Sequence, residues 1–178
     1  LDSSRQRQGL QTEAGEVNVG HQLNEHWRVS SGVRQERRRD DSVAVPLTQV
    51  EGDRTDVILR GDYDSRRRWS AYGYAQGTTA SSGNQEDNGR IGAGGAWRFS
   101  DRLRSDGELS GGDMGVGARL GTDFLMSDRS NLYLGYALEN ERDTRGVRSQ
   151  RGNLVSGMRT RYSDTTSIYV EERYTHGD

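Results

Sequence analysis

Cysteine is absent from this 178-residue chain, which excludes disulfides, thiol catalysis and thiolate metal sites. Lysine is absent as well: all 25 basic residues are arginine, against 27 acids, for a formal charge of -2. So close a balance creates no basic field of the kind that draws a protein to nucleic acid, and no nucleic-acid partner is expected. Proline occurs once, whereas disordered segments are typically rich in it. No run approaches the roughly 20 apolar residues of a membrane-spanning helix, and no charged start with an apolar core marks a signal peptide. Hydrophobic residues make up only 30% of the chain, and mean hydropathy is -1.00. That is too polar for an ordinary dry core.

Glycine and aromatic residues are what the chain does have: 24 Gly, eight Tyr, three Trp and two Phe, in a sequence that alternates with period two. Leu132, Leu134, Tyr136 and Leu138 fall on one face of an extended chain, and Tyr133, Gly135, Ala137 and Glu139 on the other. Val57, Leu59, Gly61 and Tyr63 oppose Ile58, Arg60 and Asp62 in the same way, and Ile91, Ala93, Gly95, Trp97 and Phe99 oppose Arg90, Gly92, Gly94, Ala96 and Arg98. This alternation predicts about ten strands, near 14–23, 26–36, 54–63, 68–78, 89–99, 102–111, 113–125, 130–141, 151–162 and 166–175. Each is about long enough to cross a bilayer at a tilt. Short polar turns, such as Asn24-Glu25-His26, Ser100-Asp101-Arg102 and Ser163-Asp164-Thr165-Thr166, alternate with longer loops at 37–53, 79–88 and 142–150. Gly111-Gly112 is the tight exception on the loop side. The fold class this predicts is an all-β, antiparallel, up-and-down transmembrane β-barrel, with 1–178 as a single barrel domain or barrel segment.

Two patterns separate a membrane barrel from a soluble meander. The aromatics Trp27, Tyr63, Trp69, Trp97, Phe99, Phe124 and Tyr162 all lie beside short turns on the apolar face. Rings with one wet edge and one greasy face favour the headgroup level of a bilayer, whereas a soluble core would bury them mid-strand. On the opposite face the same phase places Arg28, Arg34, Arg60, Arg98, Arg104, Asp106, Glu108, Arg119, Asp123, Glu139, Arg159, Arg161, Glu171 and Arg173. Fourteen ionisable groups cannot occupy a dry core, but they can line a wet lumen and pair across about 5 Å between strands. The soluble rival is an extracellular β-sandwich or adhesive β-repeat, in which each charged face is simply solvated.

The stretches Asn88-Gly89-Arg90-Ile91-Gly92-Ala93-Gly94-Gly95, Leu134-Gly135-Tyr136-Ala137-Leu138-Glu139-Asn140-Glu141-Arg142 and Arg151-Gly152-Asn153-Leu154-Val155-Ser156-Gly157 resemble the barrel region of large, multi-domain, porin-like outer-membrane proteins of proteobacteria. The resemblance covers most of the chain and carries no catalytic motif. It implies a bacterial outer-membrane location, with outer-membrane lipid or lipopolysaccharide, and the rest of a larger barrel or further subunits, as partners. A complete bacterial barrel usually begins and ends in the periplasm. Here the first predicted strand descends to the turn at Asn24 and the last ascends from Asp164, so both ends fall on the loop side. An excised portion of a larger barrel is the favoured reading of that departure.

The inventory for chemistry is thin. His21 and His26, five apart across a turn, read as polar residues near an interface, and His176 beside Asp178 as polar loop. No Ser/His/Asn or Asp/His constellation is placed for hydrolysis, so no enzyme, metal or cofactor is expected. Gly92-Ala93-Gly94-Gly95 and Gly111-Gly112-Asp113-Met114-Gly115 lack the lysine and following helix of a phosphate loop. The acidic stretches Glu51-Gly52-Asp53 and Glu86-Asp87-Asn88 read as solvating loop residues. Two function classes follow: a pore whose Arg and carboxylate ladder sets solute preference, and a non-conducting scaffold or anchor whose loops bind partners.

Overall fold

The computed structural model describes residues 2–5, 10–40, 51–113, 115–142 and 148–177. These form eleven strands and no helix: β1 (Asp2–Arg5), β2 (Leu10–Gln22), β3 (Trp27–Asp40), β4 (Gly52–Asp64), β5 (Trp69–Ser81), β6 (Arg90–Arg98), β7 (Leu103–Gly112), β8 (Gly117–Ser127), β9 (Ser130–Arg142), β10 (Arg148–Arg161) and β11 (Ser167–Gly177). They make one antiparallel sheet in sequence order, each strand hydrogen-bonded to the next. Only consecutive strands are backbone neighbours, so the two stacked sheets of a sandwich are absent among the described residues. β1 and β11 are the ends of the strand order.

All ten predicted strands are present, with bounds moved mostly at the loop end. β3, β4 and β5 run four, two and three residues further into segments that the polar composition had suggested were loop, because Arg37 and Arg38 pair with Asp53 and Gly52, and Ser81 with Arg54. β8 starts at Gly117, later than predicted, because β7 stays paired through Gly112, opposite Arg90. A turn follows in which Gly115, at φ 99°, donates its N–H to the Gly112 carbonyl at 2.8 Å. The short strand β1, opposite Gln11 to Ala14, was not predicted; four residues are too few to show a period. The central parts of the loops at 37–53 and 142–150 lie outside the described residues.

The short turns close as their sequences suggest. Asn24 Oδ1 accepts the backbone N–H groups of His26 and Trp27, both at 2.9 Å. Ser100 Oγ accepts those of Arg102 (3.2 Å) and Leu103 (3.1 Å), and Ser163 Oγ that of Thr166 at 3.1 Å. A side-chain acceptor at the first turn position supplies what the ladder cannot once the chain reverses.

The burial pattern is the reverse of that of a soluble domain. Large apolar side chains stand in the open, with Leu59 at 58%, Leu120 at 60% and Val170 at 64% exposure, while the one large side chain that is fully buried among the described residues is Asp56, at 1%. The sheet curls toward its polar face: side chains from seven consecutive strands, β2 to β8, line a single concavity of about 870 Å³.

Candidate functional site: the polar concave wall

The pairing register puts all fourteen charged residues predicted for the polar side on one face. One row across the sheet reads Gln22, Arg28, Asp62, Tyr72, Gly94, Glu108, Arg119, Ala137, Asn153 and Thr175. Around the concavity the structure gathers Arg60, Arg104, Asp106, Glu108 and Arg119, with Arg28. Glu171 and Arg173 pair on β11 at 2.6 Å. Arg98 lies beside Arg104 in a smaller depression at the turn end. Arg104 faces Asp123 and Glu139 faces Arg151 across the ladder. Arg159 and Arg161 share the face near the short turn after β10.

Long side chains lie along this wall and do not project from it, because the next strand offers a glycine. The Tyr72 ring crosses Gly94, and its hydroxyl donates to Glu108 Oε2 on the strand beyond. A Cβ on Gly94 would stand 2.6 Å from that hydroxyl oxygen. Tyr74 passes Gly92 and donates to Glu108 Oε1 at 3.0 Å. The Arg60 guanidinium stacks 3.9 Å over the Tyr72 ring centroid and binds Asp62 at 2.7 Å. The arrangement recurs across β9, β10 and β11: Tyr133 crosses Gly157 and donates to Glu171 Oε2 at 2.5 Å. Each clamp spans three strands and gives a carboxylate oxygen a neutral hydroxyl donor.

Toward the loop end a second network was missed from the sequence. Glu36 binds Arg38 at 2.6 Å and both Arg34 and Arg54 at 3.4 Å. Arg54 also binds Asp56 at 3.0 Å, and Asp56 accepts a 2.7 Å hydrogen bond from Thr78 Oγ1. A bulge between Thr55 and Asp56 sets Asp56 opposite Thr78. The segment 82–89 is tied to the same network: Asn88 N donates to Thr78 Oγ1 at 2.8 Å, and Arg54 Nη1 to the Glu86 carbonyl at 3.3 Å. The acidic stretch at 86–88 is thus bound to the wall. A signal for these residues was available: the spacing Arg-x-Glu-x-Arg at 34–38 and Arg-x-Asp at 54–56 matches Arg60-x-Asp62, a same-strand ion pair with both ends on one face.

On the opposite face the turn-end aromatics form a chain of rings. Trp27 meets Tyr63 edge-on at 5.0 Å, Tyr63 meets Trp69 at 4.9 Å, and Trp69 stacks on Trp97 at 6.4 Å, which reaches Phe99 at 6.4 Å. Phe124, beside Leu103 and Leu132, continues the level on β8. Tyr162, 74% exposed, lies at the turn after β10 and meets no other ring among the described residues. No cluster of three or more metal-ligating side chains occurs among the described residues.

Comparison with known proteins finds no matching family model and no matching curated protein.

Proposed function

We propose that the chain is the wall of an outer-membrane β-barrel pore, its polar concave face lining an aqueous lumen and its opposite face turned to lipid. The observation that carries this reading is the inverted burial: leucines and valines exposed on one face, and Asp56 and Glu36 buried on the other, at 1% and 4%. Water would penalise the first face and a dry core the second, whereas a lipid exterior and a wet interior suit both. The unbroken ring chain from Trp27 to Phe99 fits a headgroup level at the turn end. The outward apolar residues of β3 run from Trp27 to Val33, about 16 Å of height at a 40° tilt, to which interfacial rings add several ångströms. Tyr74, Tyr72 and Tyr133 lie flat over Gly92, Gly94 and Gly157, close to the wall, which favours conduction over plugging.

The Glu36–Arg54–Asp56 network, with 82–89 tied to it, favours a second reading, a non-conducting anchor whose inner wall is cross-linked at the loop end. Single-channel recording in planar bilayers separates the two. Discrete steps are expected from the folded chain, and their absence would leave the anchor. The membrane assignment has its own test: heat-modifiable migration on detergent gels and co-fractionation with outer membranes are expected, and recovery as a soluble monomer without detergent would defeat it.

A further inference from the structure

The turn-end concavity is lined by five arginines, Arg28, Arg60, Arg66, Arg104 and Arg119, and by five carboxylates, Glu25, Asp62, Asp64, Asp106 and Glu108, but the two sets are not matched one to one. Arg60 is matched by Asp62, while both oxygens of Glu108 accept tyrosine hydroxyls. The guanidiniums of Arg28, Arg104 and Arg119, which line the same cavity from β3, β7 and β8, form no hydrogen bond or close ion pair among the described residues, although Arg119 stands opposite Glu108 in the ladder. The contrast with the rest of the wall is informative. Arginine two residues from an acid on the same face closes an ion pair at 34–36, 36–38, 54–56, 60–62 and 171–173, yet Arg104 and Asp106 have that spacing and do not. The Asp106 carboxylate lies over Gly121 on β8, where a Cβ would be 2.8 Å from its Oδ1.

We propose that this cavity is a binding site for a small polyanionic solute bearing phosphate or carboxylate groups, held by the guanidiniums of Arg28, Arg104 and Arg119. A guanidinium presents a planar fork that matches either oxyanion with two parallel hydrogen bonds. Three of them suit a solute with two or three negative charges, and about 870 Å³ is the size of small-ligand pockets. Tyr72, anchored to Glu108 and capped by Arg60, gives the site a rigid floor. The inference rests on the reading that this face is wet, and it names the solute class the wall would select.

The test is calorimetric titration of the folded chain in detergent micelles with pyrophosphate and, separately, citrate, with far-UV circular dichroism confirming the sheet in each variant. Saturable binding is expected, weakened about tenfold or more in R28Q/R104Q/R119Q, since losing charged hydrogen bonds worth about 1.5 kcal/mol or more changes affinity by that factor. R159Q/R161Q, which removes the same kind of charge outside the cavity, is expected to bind as wild type. D106N is expected to bind a few-fold tighter, with one competing negative charge gone. Equal loss in the two arginine variants would mean a diffuse field and no site, and no saturable binding by folded wild type would overturn the proposal outright. If the triple variant does not fold, R104Q alone decides: unchanged affinity would overturn it. Because binding in micelles needs no conduction, a chain that binds but gives no channel steps loses the pore and keeps the site. One that conducts without binding does the reverse.

Discussion

Asp56 is a carboxylate where a soluble domain would carry a leucine, and it is held by Arg54 and Thr78. Replacing it with alanine leaves the Arg54 guanidinium, itself only 11% exposed, with part of its charge unmatched. Asp56→Ala is therefore expected to lower unfolding stability by about 3 kcal/mol in urea titrations of the refolded chain. Combining it with Arg54→Met is expected to restore part of the loss, because removing both partners leaves no stranded charge. A neutral single variant would show that the network carries no stability. The glycines under the tyrosines make a second test. Gly94→Ala puts a methyl 2.6 Å from the Tyr72 hydroxyl oxygen and from the Gly107 carbonyl, whereas Gly61 has nothing within 4 Å of such a methyl. Gly94→Ala is expected to cost about 1–3 kcal/mol by the same titration, and Gly61→Ala to stay within about 0.5 kcal/mol.

At the scale of the strand, the short turns and the rings beside them act together. The side-chain acceptor at each turn fixes where the ladder ends, so Trp27, Tyr63, Trp69 and Trp97 arrive at one level and touch. If that level is a headgroup region, the three tryptophans are quenched more by lipid brominated near the glycerol than by lipid brominated near the chain end. Quenching by aqueous iodide alone, as for rings in water, would contradict it. The ten longer strands were legible because each runs for at least nine residues, whereas the four residues of β1 are too few to show a period. Their loop ends were not, since Arg37, Arg38 and Arg39 and the Gly52-Asp53 pair look like loop composition until the partner strand shows which are paired.

For the whole molecule, the two faces make opposite claims on solvent. Leu59→Arg, on the apolar face, is expected to lower folding stability into lipid vesicles by about 2–4 kcal/mol if that face meets the bilayer near its middle, while Ala137→Arg on the polar face should change it little. Equal tolerance of the two would remove the lipid from the account. Of the fourteen charged residues expected on the polar wall, the face was legible from period two alone. Their pairing was not. Nothing in the alternation says that Tyr72 reaches over Gly94 to Glu108, that Glu36 joins three arginines, or that Arg104 lies unpaired, because each depends on a residue one or two strands away in space. By itself the sequence determined the strands, their order and the side on which each residue falls, since period two and turn chemistry are local. Only the tertiary structure decided the curl that brings β2 to β8 around one cavity, and with it which charges neutralise each other and which stay free. Register and curvature are properties of the assembled sheet, and no single strand contains them.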